Sequence, residues 1–430
     1  MMHHGTVKSR GQGLYHKTTL DNGVRIVTEK LPQFYSVSMS IWVNVGSRDE
    51  RASEMGYTHF IEHMLFKGTE HRSALDIAKE LDAVGGFANA FTTKEQMCLH
   101  AKVLDTHLPL VVDILSDIFL NSVFDPDEID RERQVILQEI SMVEDTPDDY
   151  IHVLHQERYW QSNPLGNPIY GTAASVGDAT RDRLLDYMRS TFHPSEVVVS
   201  AAGNVDHERF VALVAKRMAD FNGARLKPQR RPPQNHHVVE IIPKSLEQVH
   251  LCLGWRGCSN LDDRRFACHL VNVLLGGSMS SRLFQEIREK RALAYSVYSF
   301  VNSHVDTGMM GIYAGTGVGQ IQETLDIIKQ ELERLAAKPI GDAELRAAKE
   351  HFKGSMYLNA ESNDSRMHRL AKNEFLFGRY VPFEEVENKV EATTSEAIQD
   401  WFRSAFSKQD LALVLLGPME PGSVDIGHYL

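Results

Sequence analysis

"VGDATRDRLLDYMRSTFHPSEVVVSAAGNV", residues 176–205, lines up without a gap on "VEATTSEAIQDWFRSAFSKQDLALVLLGPM", residues 390–419. Asp186, Arg189, Ser190, Phe192 and Gly203 fall on Asp400, Arg403, Ser404, Phe406 and Gly417. Each copy reads as an amphipathic helix followed by a short apolar strand that ends in glycine. Two further pairs keep the same order. "SVSMSIWVNVGSRDE" (36–50) is like "QVHLCLGWRGCSNLDD" (248–263), both alternating strands that run into a polar turn. "FDPDEIDRERQVILQEIS" (124–141) matches "IGDAELRAAKEHFKGSMY" (340–357). Two unrelated domains of similar composition do not easily give 30 gapless aligned positions. The expected fold class is therefore α+β, with two homologous domains from an internal duplication, each a mostly antiparallel sheet packed with helices. The expected boundaries are 1–222 and 239–430, joined by a linker over 223–238. That linker rests on "NGARLKPQRRPPQNHH" (222–237), which is basic, proline-rich and without apolar periodicity.

Composition narrows the function classes. At 430 residues and 42% hydrophobic, the chain is long enough for several domains with sizeable cores. A net charge of -12 argues against a nucleic-acid partner, which needs a concentrated basic surface. No apolar run approaches the roughly 20 residues that span a bilayer, so no membrane segment is expected. "MMHHGTVKSRGQGLYHK" has no hydrophobic stretch after its basic residues and does not read as a secretory signal. His3 and His4 are given no role. Cys98, Cys252, Cys258 and Cys268 form no CxxC pair and read as buried, reduced thiols.

The chemistry concentrates in "THFIEHMLFKGT" (58–69). Residues four apart share one helical face, so His59 and His63 can grip one ion, with Glu62 beside it. With 20 histidines in 430 residues, about one such pair is expected by chance, so the motif needs support. The duplication supplies it. By alignment, His59, Glu62 and His63 face His269, Asn272 and Val273, so the second copy keeps the helix and lacks the constellation. A fold requirement would be present in both copies; chemistry need be present in only one. A catalytic zinc takes three protein ligands and leaves a position for water, so a third ligand must come from another element. In "FDPDEIDRERQVILQEIS", Asp125 reads as the N-cap, Pro126 as the first helical residue and Glu128 as the partner of a capping box. Ile129, Ile136, Leu137 and Ile140 form the apolar stripe. Glu132 and Glu139 lie two turns apart on one face. On their own they are a solvated edge or a site, and the second copy has Ala348 and Ser355 in their places.

"HFIEH" with Glu139 76 positions after His63 resembles the pitrilysin/insulinase (M16-type) family of zinc peptidases, the inverse of the common zincin order. The resemblance runs from "TTLDNGVRIV" (18–27) to "LVLLGP" (413–418), and the length is similar to that of the mitochondrial processing peptidases and their bacterial relatives. It implies the LuxS/processing-peptidase-like metallohydrolase fold and one zinc ion (Zn2+) per chain. It implies His59, His63 and Glu139 as ligands, Glu62 as general base and Glu132 as support behind a ligand. "GGFANAFTTKEQ" (85–96) resembles the family's substrate-binding edge strand, which would hold an extended peptide by backbone pairing. Asn89, Ala90 and Phe91 would then face the substrate, with Phe66 as a pocket wall; read alone, Phe66 and Phe91 are equally core residues. "REKRALAY" places Arg288 and Tyr295 seven apart, like the family's pair that holds substrate and stabilises the tetrahedral intermediate. Read alone, they are a helix-surface arginine and a strand aromatic.

The expected activity is zinc-dependent endopeptidase cleavage of peptides or unfolded polypeptides in an enclosed chamber. The alternatives are a non-enzymatic core subunit, or a peptide-binding module of the same fold with a structural zinc. Longer family members close a chamber with four such domains, so a two-domain chain is expected to form a homodimer. Arg288 and Tyr295 of one subunit would then complete the zinc site of the other. "LLGGSMSSRLF" (274–284) has a glycine pair rather than the long glycine-rich loop of the mitochondrial α-type subunit, which favours a bacterial cytoplasmic peptidase.

Overall fold

The computed structural model describes residues 13–223 and 229–427; His3, His4 and part of the linker lie outside them. Eleven strands form two sheets among the described residues. The first contains β1 (Leu14–Thr19), β2 (Arg25–Lys30), β3 (Ser36–Val43), β4 (Phe87–Thr92), β5 (Met97–Leu104) and β6 (Val197–Gly203), in the order β1-β2-β6-β3-β5-β4. The second contains β7 (Val238–Pro243), β8 (Val249–Arg256), β9 (Ala294–Ser303), β10 (Gly308–Thr316) and β11 (Ala412–Gly417), in the order β7-β11-β8-β10-β9.

The second order repeats the first without β1. In both, one parallel pair (β2 with β6, β7 with β11) is followed by three antiparallel pairs. The α+β class and the internal duplication therefore hold at the level of strand order. β4 and β9 end their sheets, each pairing with a single neighbour among the described residues.

The compact units do not follow contiguous boundaries. One comprises residues 1–140, 168–230 and 358–381; the other comprises 141–167, 231–357 and 382–430. The helix Asn363–Phe377 thus covers β2, β3 and β6 of the first unit, where Met367, Leu370 and Ala371 pack on Val27, Trp42 and Val198. The matching helix of the first copy, Pro147–Tyr159, packs Ile151 and Leu154 on Cys252, Val414 and Leu416 of the second unit. A division at 222 and 239 misses this exchange. Each sheet is consequently covered on both faces, which is why β6 is buried at every residue.

The principal core of the first unit lies on the other face, where the helices Tyr57–Leu65, Leu108–Asn121 and Arg181–Thr191 contribute Phe60, Leu115 and Leu184. The expected linker lacks helix or strand over residues 223 and 229–237, and its last residue, Val238, begins β7; it is not a free spacer. Arg230 grips Asp49 through Nε at 2.9 Å and Nη2 at 2.6 Å. All four cysteines are buried and unbridged. No helix among the described residues is long and apolar enough to cross a membrane.

Candidate metal centre

The histidine helix spans Tyr57–Leu65 and begins at Gly56, whose φ of +85° is left-handed. A side chain there is excluded, because a Cβ would stand 2.6 Å from the Tyr170 carbonyl oxygen. Phe60, Ile61, Met64 and Leu65 are fully buried in the main core, fixing the rotation of the helix. His59 and His63 are left on one side with their ring centroids 4.7 Å apart. The chain leaves the helix at Phe66, and Gly68 follows with φ +118°.

The second element is the helix Pro126–Asp145. Asp125 Oδ1 accepts from the Asp127 N–H at 2.9 Å and the Glu128 N–H at 3.3 Å, so it is the N-cap. The reciprocal half of the expected capping box is replaced, because the Glu128 carboxylate pairs with Arg131 instead. Ile129, Ile136 and Ile140 are buried, which turns Glu132 and Glu139 towards the histidines. His59 Nε2 stands 3.6 Å and His63 Nε2 3.7 Å from Glu139 Oε2. One ligand atom from each of the three residues lies within 4.8 Å of the others.

These separations exceed hydrogen-bond reach. The two separations from Glu139 lie at or just beyond the longest edge of a tetrahedron, about 3.3–3.6 Å, around an ion with bonds of about 2.0–2.2 Å to imidazole and carboxylate. His63 Nδ1 sits 3.0 Å from Glu132 Oε2, which assigns its proton to Nδ1 and leaves the Nε2 lone pair facing the cluster. Lys67, four residues on, holds the other Glu132 oxygen at 2.6 Å. His59 Nδ1 is buried with no hydrogen-bond partner. Burial, and then the charge of His63, push the His59 pKa down to about 3, keeping that imidazole neutral as a ligand must be. The donor set, the spacing and the carboxylate behind His63 fit zinc.

Glu62 lies beside this cluster and outside its three ligand atoms. Thr92 donates its hydroxyl to Glu62 Oε2 at 2.6 Å. Burial pushes the Glu62 carboxyl above the usual range, opposed by the Thr92 hydrogen bond. Thr92 is the last residue of β4, so Glu62 is tied to the expected substrate edge. Along that edge Asn89 is exposed, Ala90 is buried in the core and Phe91 meets Trp42 edge-on at 5.4 Å. Phe66 is half-buried against the same core as Ala90. In the second unit the Arg288 guanidinium lies 4.5 Å from the Tyr295 ring centre, and Tyr295 is 79% exposed. The sequence reading missed Thr92 and Lys67. For Lys67, the four-residue spacing from His63 was an available signal; Thr92 gave none.

Residues 25–173 match the family described as "Insulinase (Peptidase family M16)", and residues 178–352 match "Peptidase M16 inactive domain". An "uncharacterized zinc protease" of Bacillus subtilis is 41% identical over 93% of this chain and 97% of its own length. Another, from Streptomyces coelicolor, is 40% identical over 95% of this chain and 91% of its own. The chain belongs to the M16 peptidase family. A protease from Helicobacter pylori has the same fold, with a TM-score of 0.88 over 94% of this chain and 100% of that one at 20% identity. The peptidase M16 inactive domain from Pseudomonas fluorescens aligns equally well, at 0.88 over 94% and 98%, with 19% identity. The family's description of 178–352 as inactive accords with His269, Asn272 and Val273 standing where the first copy has its constellation.

Proposed function

We propose that this protein is a zinc metalloendopeptidase that cleaves peptides or unfolded polypeptides paired along the β4 edge. The observation that carries the reading is the convergence of His59, His63 and Glu139 beside a Glu62 carboxylate anchored to the end of that strand. The relatives named zinc proteases support the choice of ion. Bound by His59, His63 and Glu139, a zinc ion supplies Lewis acidity and brings the pKa of water towards neutrality.

The remaining work belongs to side chains. Glu62 takes a proton from the attacking water on its carboxylate and returns it to the leaving amine nitrogen. Thr92 holds Oε2 of that carboxylate. Glu132 fixes the His63 tautomer and ring plane. The backbone of Asn89, Ala90 and Phe91 holds an extended chain by strand addition, which selects conformation more than sequence. Phe66 and Phe91 line the adjoining side-chain positions. A mixed peptide library should be cut by the purified protein, lose cleavage on chelation and regain it with added zinc. Cleavage that persists at full strength after metal removal has been verified contradicts the reading.

A bacterial cytoplasmic homodimer is the assembly that fits this reading, with Arg288 and Tyr295 stabilising the oxyanion in the partner subunit's site. Mixing Glu62→Gln with Tyr295→Phe under subunit exchange should restore roughly a quarter of wild-type activity, because random pairing gives half mixed dimers with one intact site each. Absent recovery despite demonstrated exchange rules out completion in trans.

A further inference from the structure

The histidine helix has no side-chain cap of its own, since its N-cap is Gly56. The first N–H groups of any helix need acceptors from elsewhere. Here Glu50 provides them: Oε2 accepts from the Gly56 N–H at 2.7 Å and Oε1 from the Thr58 N–H at 2.8 Å. Glu50 is buried, with 4% of its surface exposed. The two residues before it are tied down. Asp49 is held by Arg230, whose Nη2 also donates to the Glu95 carbonyl at 2.5 Å. Arg48 Nη1 meets Glu95 Oε1 at 2.6 Å. Glu95 lies in the turn joining β4 to β5. One clamp therefore connects the strand that ends in Thr92 with the start of the helix that carries His59 and Glu62.

We propose that Glu50 is a positioning residue of the metal site. Its carboxylate sets the first helical turn, and through Thr58 the place of the adjacent His59 relative to Glu139; it touches neither ion nor substrate. The inference rests on the zinc reading of His59, His63 and Glu139. Burial pushes the Glu50 pKa up to about 8, opposed by the hydrogen bonds from Thr58 and Gly56. Both oxygens accept from backbone N–H groups, so the ionised carboxylate is the form that completes the cap, and the positive end of a helix faces it. Glutamine has nearly the same shape but can turn only one acceptor oxygen to the two donors.

The test compares Glu50→Gln and Glu50→Asp with Ser40→Ala, which removes the buried Ser40–Ser200 hydrogen bond of the same unit. Glu50→Gln is expected to raise the zinc dissociation constant by about 10- to 100-fold, the usual effect of losing support behind a metal ligand. At saturating zinc it should lower kcat with KM nearly unchanged, and Glu50→Asp should recover part of both. Ser40→Ala should leave zinc affinity unaltered even where it lowers the melting temperature as much. Unchanged zinc affinity and kcat in Glu50→Gln overturn the proposal, as does an equal affinity loss in Ser40→Ala at equal melting temperature. Amide exchange at Gly56 and Thr58, measured in chelator, separates the two readings. Unchanged protection in Glu50→Gln overturns the cap itself. Lost protection together with a wild-type protein that takes up no zinc overturns the metal reading instead.

Discussion

Glu62→Gln is expected to lower kcat by about 10²–10⁴ while the protein still binds zinc, the usual range for losing a general base. The amide nearly matches the carboxylate in shape, and its oxygen can still accept from the Thr92 hydroxyl that now donates to Oε2 at 2.6 Å. It has no basic oxygen for a proton from water. The three ligand atoms are elsewhere, on His59, His63 and Glu139, so metal content should stay at the wild-type level. The check is kcat beside metal analysis of the same sample. A zinc-loaded variant with near-normal kcat removes Glu62 from the mechanism.

The second large effect is expected at the ligands. His63→Ala and Glu139→Gln should each weaken zinc binding by more than about 100-fold, because outer partners alone account for 10- to 100-fold. His63→Ala also strips Glu132 of the ring nitrogen 3.0 Å away, leaving it with Lys67. Glu139→Gln keeps the shape but removes the charge shared across gaps of 3.6 and 3.7 Å to the two imidazoles. Activity should disappear at stoichiometric zinc and return in part with excess zinc. Competition with a fluorescent chelator measures the affinities, and wild-type affinity in either variant shows the ligand set to be wrong.

Much of this was legible in the sequence because duplication writes the same pattern twice. The alignment of 176–205 with 390–419 anticipates β6 and β11, and that of 36–50 with 248–263 anticipates β3 and β8. The strand orders then agree. For the centre, spacing put His59 and His63 on one helical face and Glu132 and Glu139 on one face of another helix. It was the family resemblance that joined them into one metal site.

What stayed hidden depended on partners distant in the chain. The apolar residues Ile151 and Leu154 require a covering sheet, but two homologous sheets offer similar faces, so the helix exchange could not be read. "SRDE" (47–50) reads as a polar turn, and nothing local says that Glu50 is buried against an N-terminus six residues ahead. Proline and charge around Arg230 indicate a segment without helix or strand, and residues 229–237 have neither. They do not reveal that its guanidinium fills a site made by Asp49, Asn44 and Glu95.

The central claim is that His59, His63 and Glu139 hold a zinc ion on which peptide cleavage depends. Anomalous diffraction across the zinc edge, from crystals of protein that has been shown to cut peptides, tests it most directly. The account predicts one zinc peak per chain, bonded to both imidazoles at about 2.0–2.1 Å and to the Glu139 carboxylate at about 2.0–2.2 Å. An active protein with no anomalous peak between these three residues, or with its zinc bound elsewhere, would contradict it.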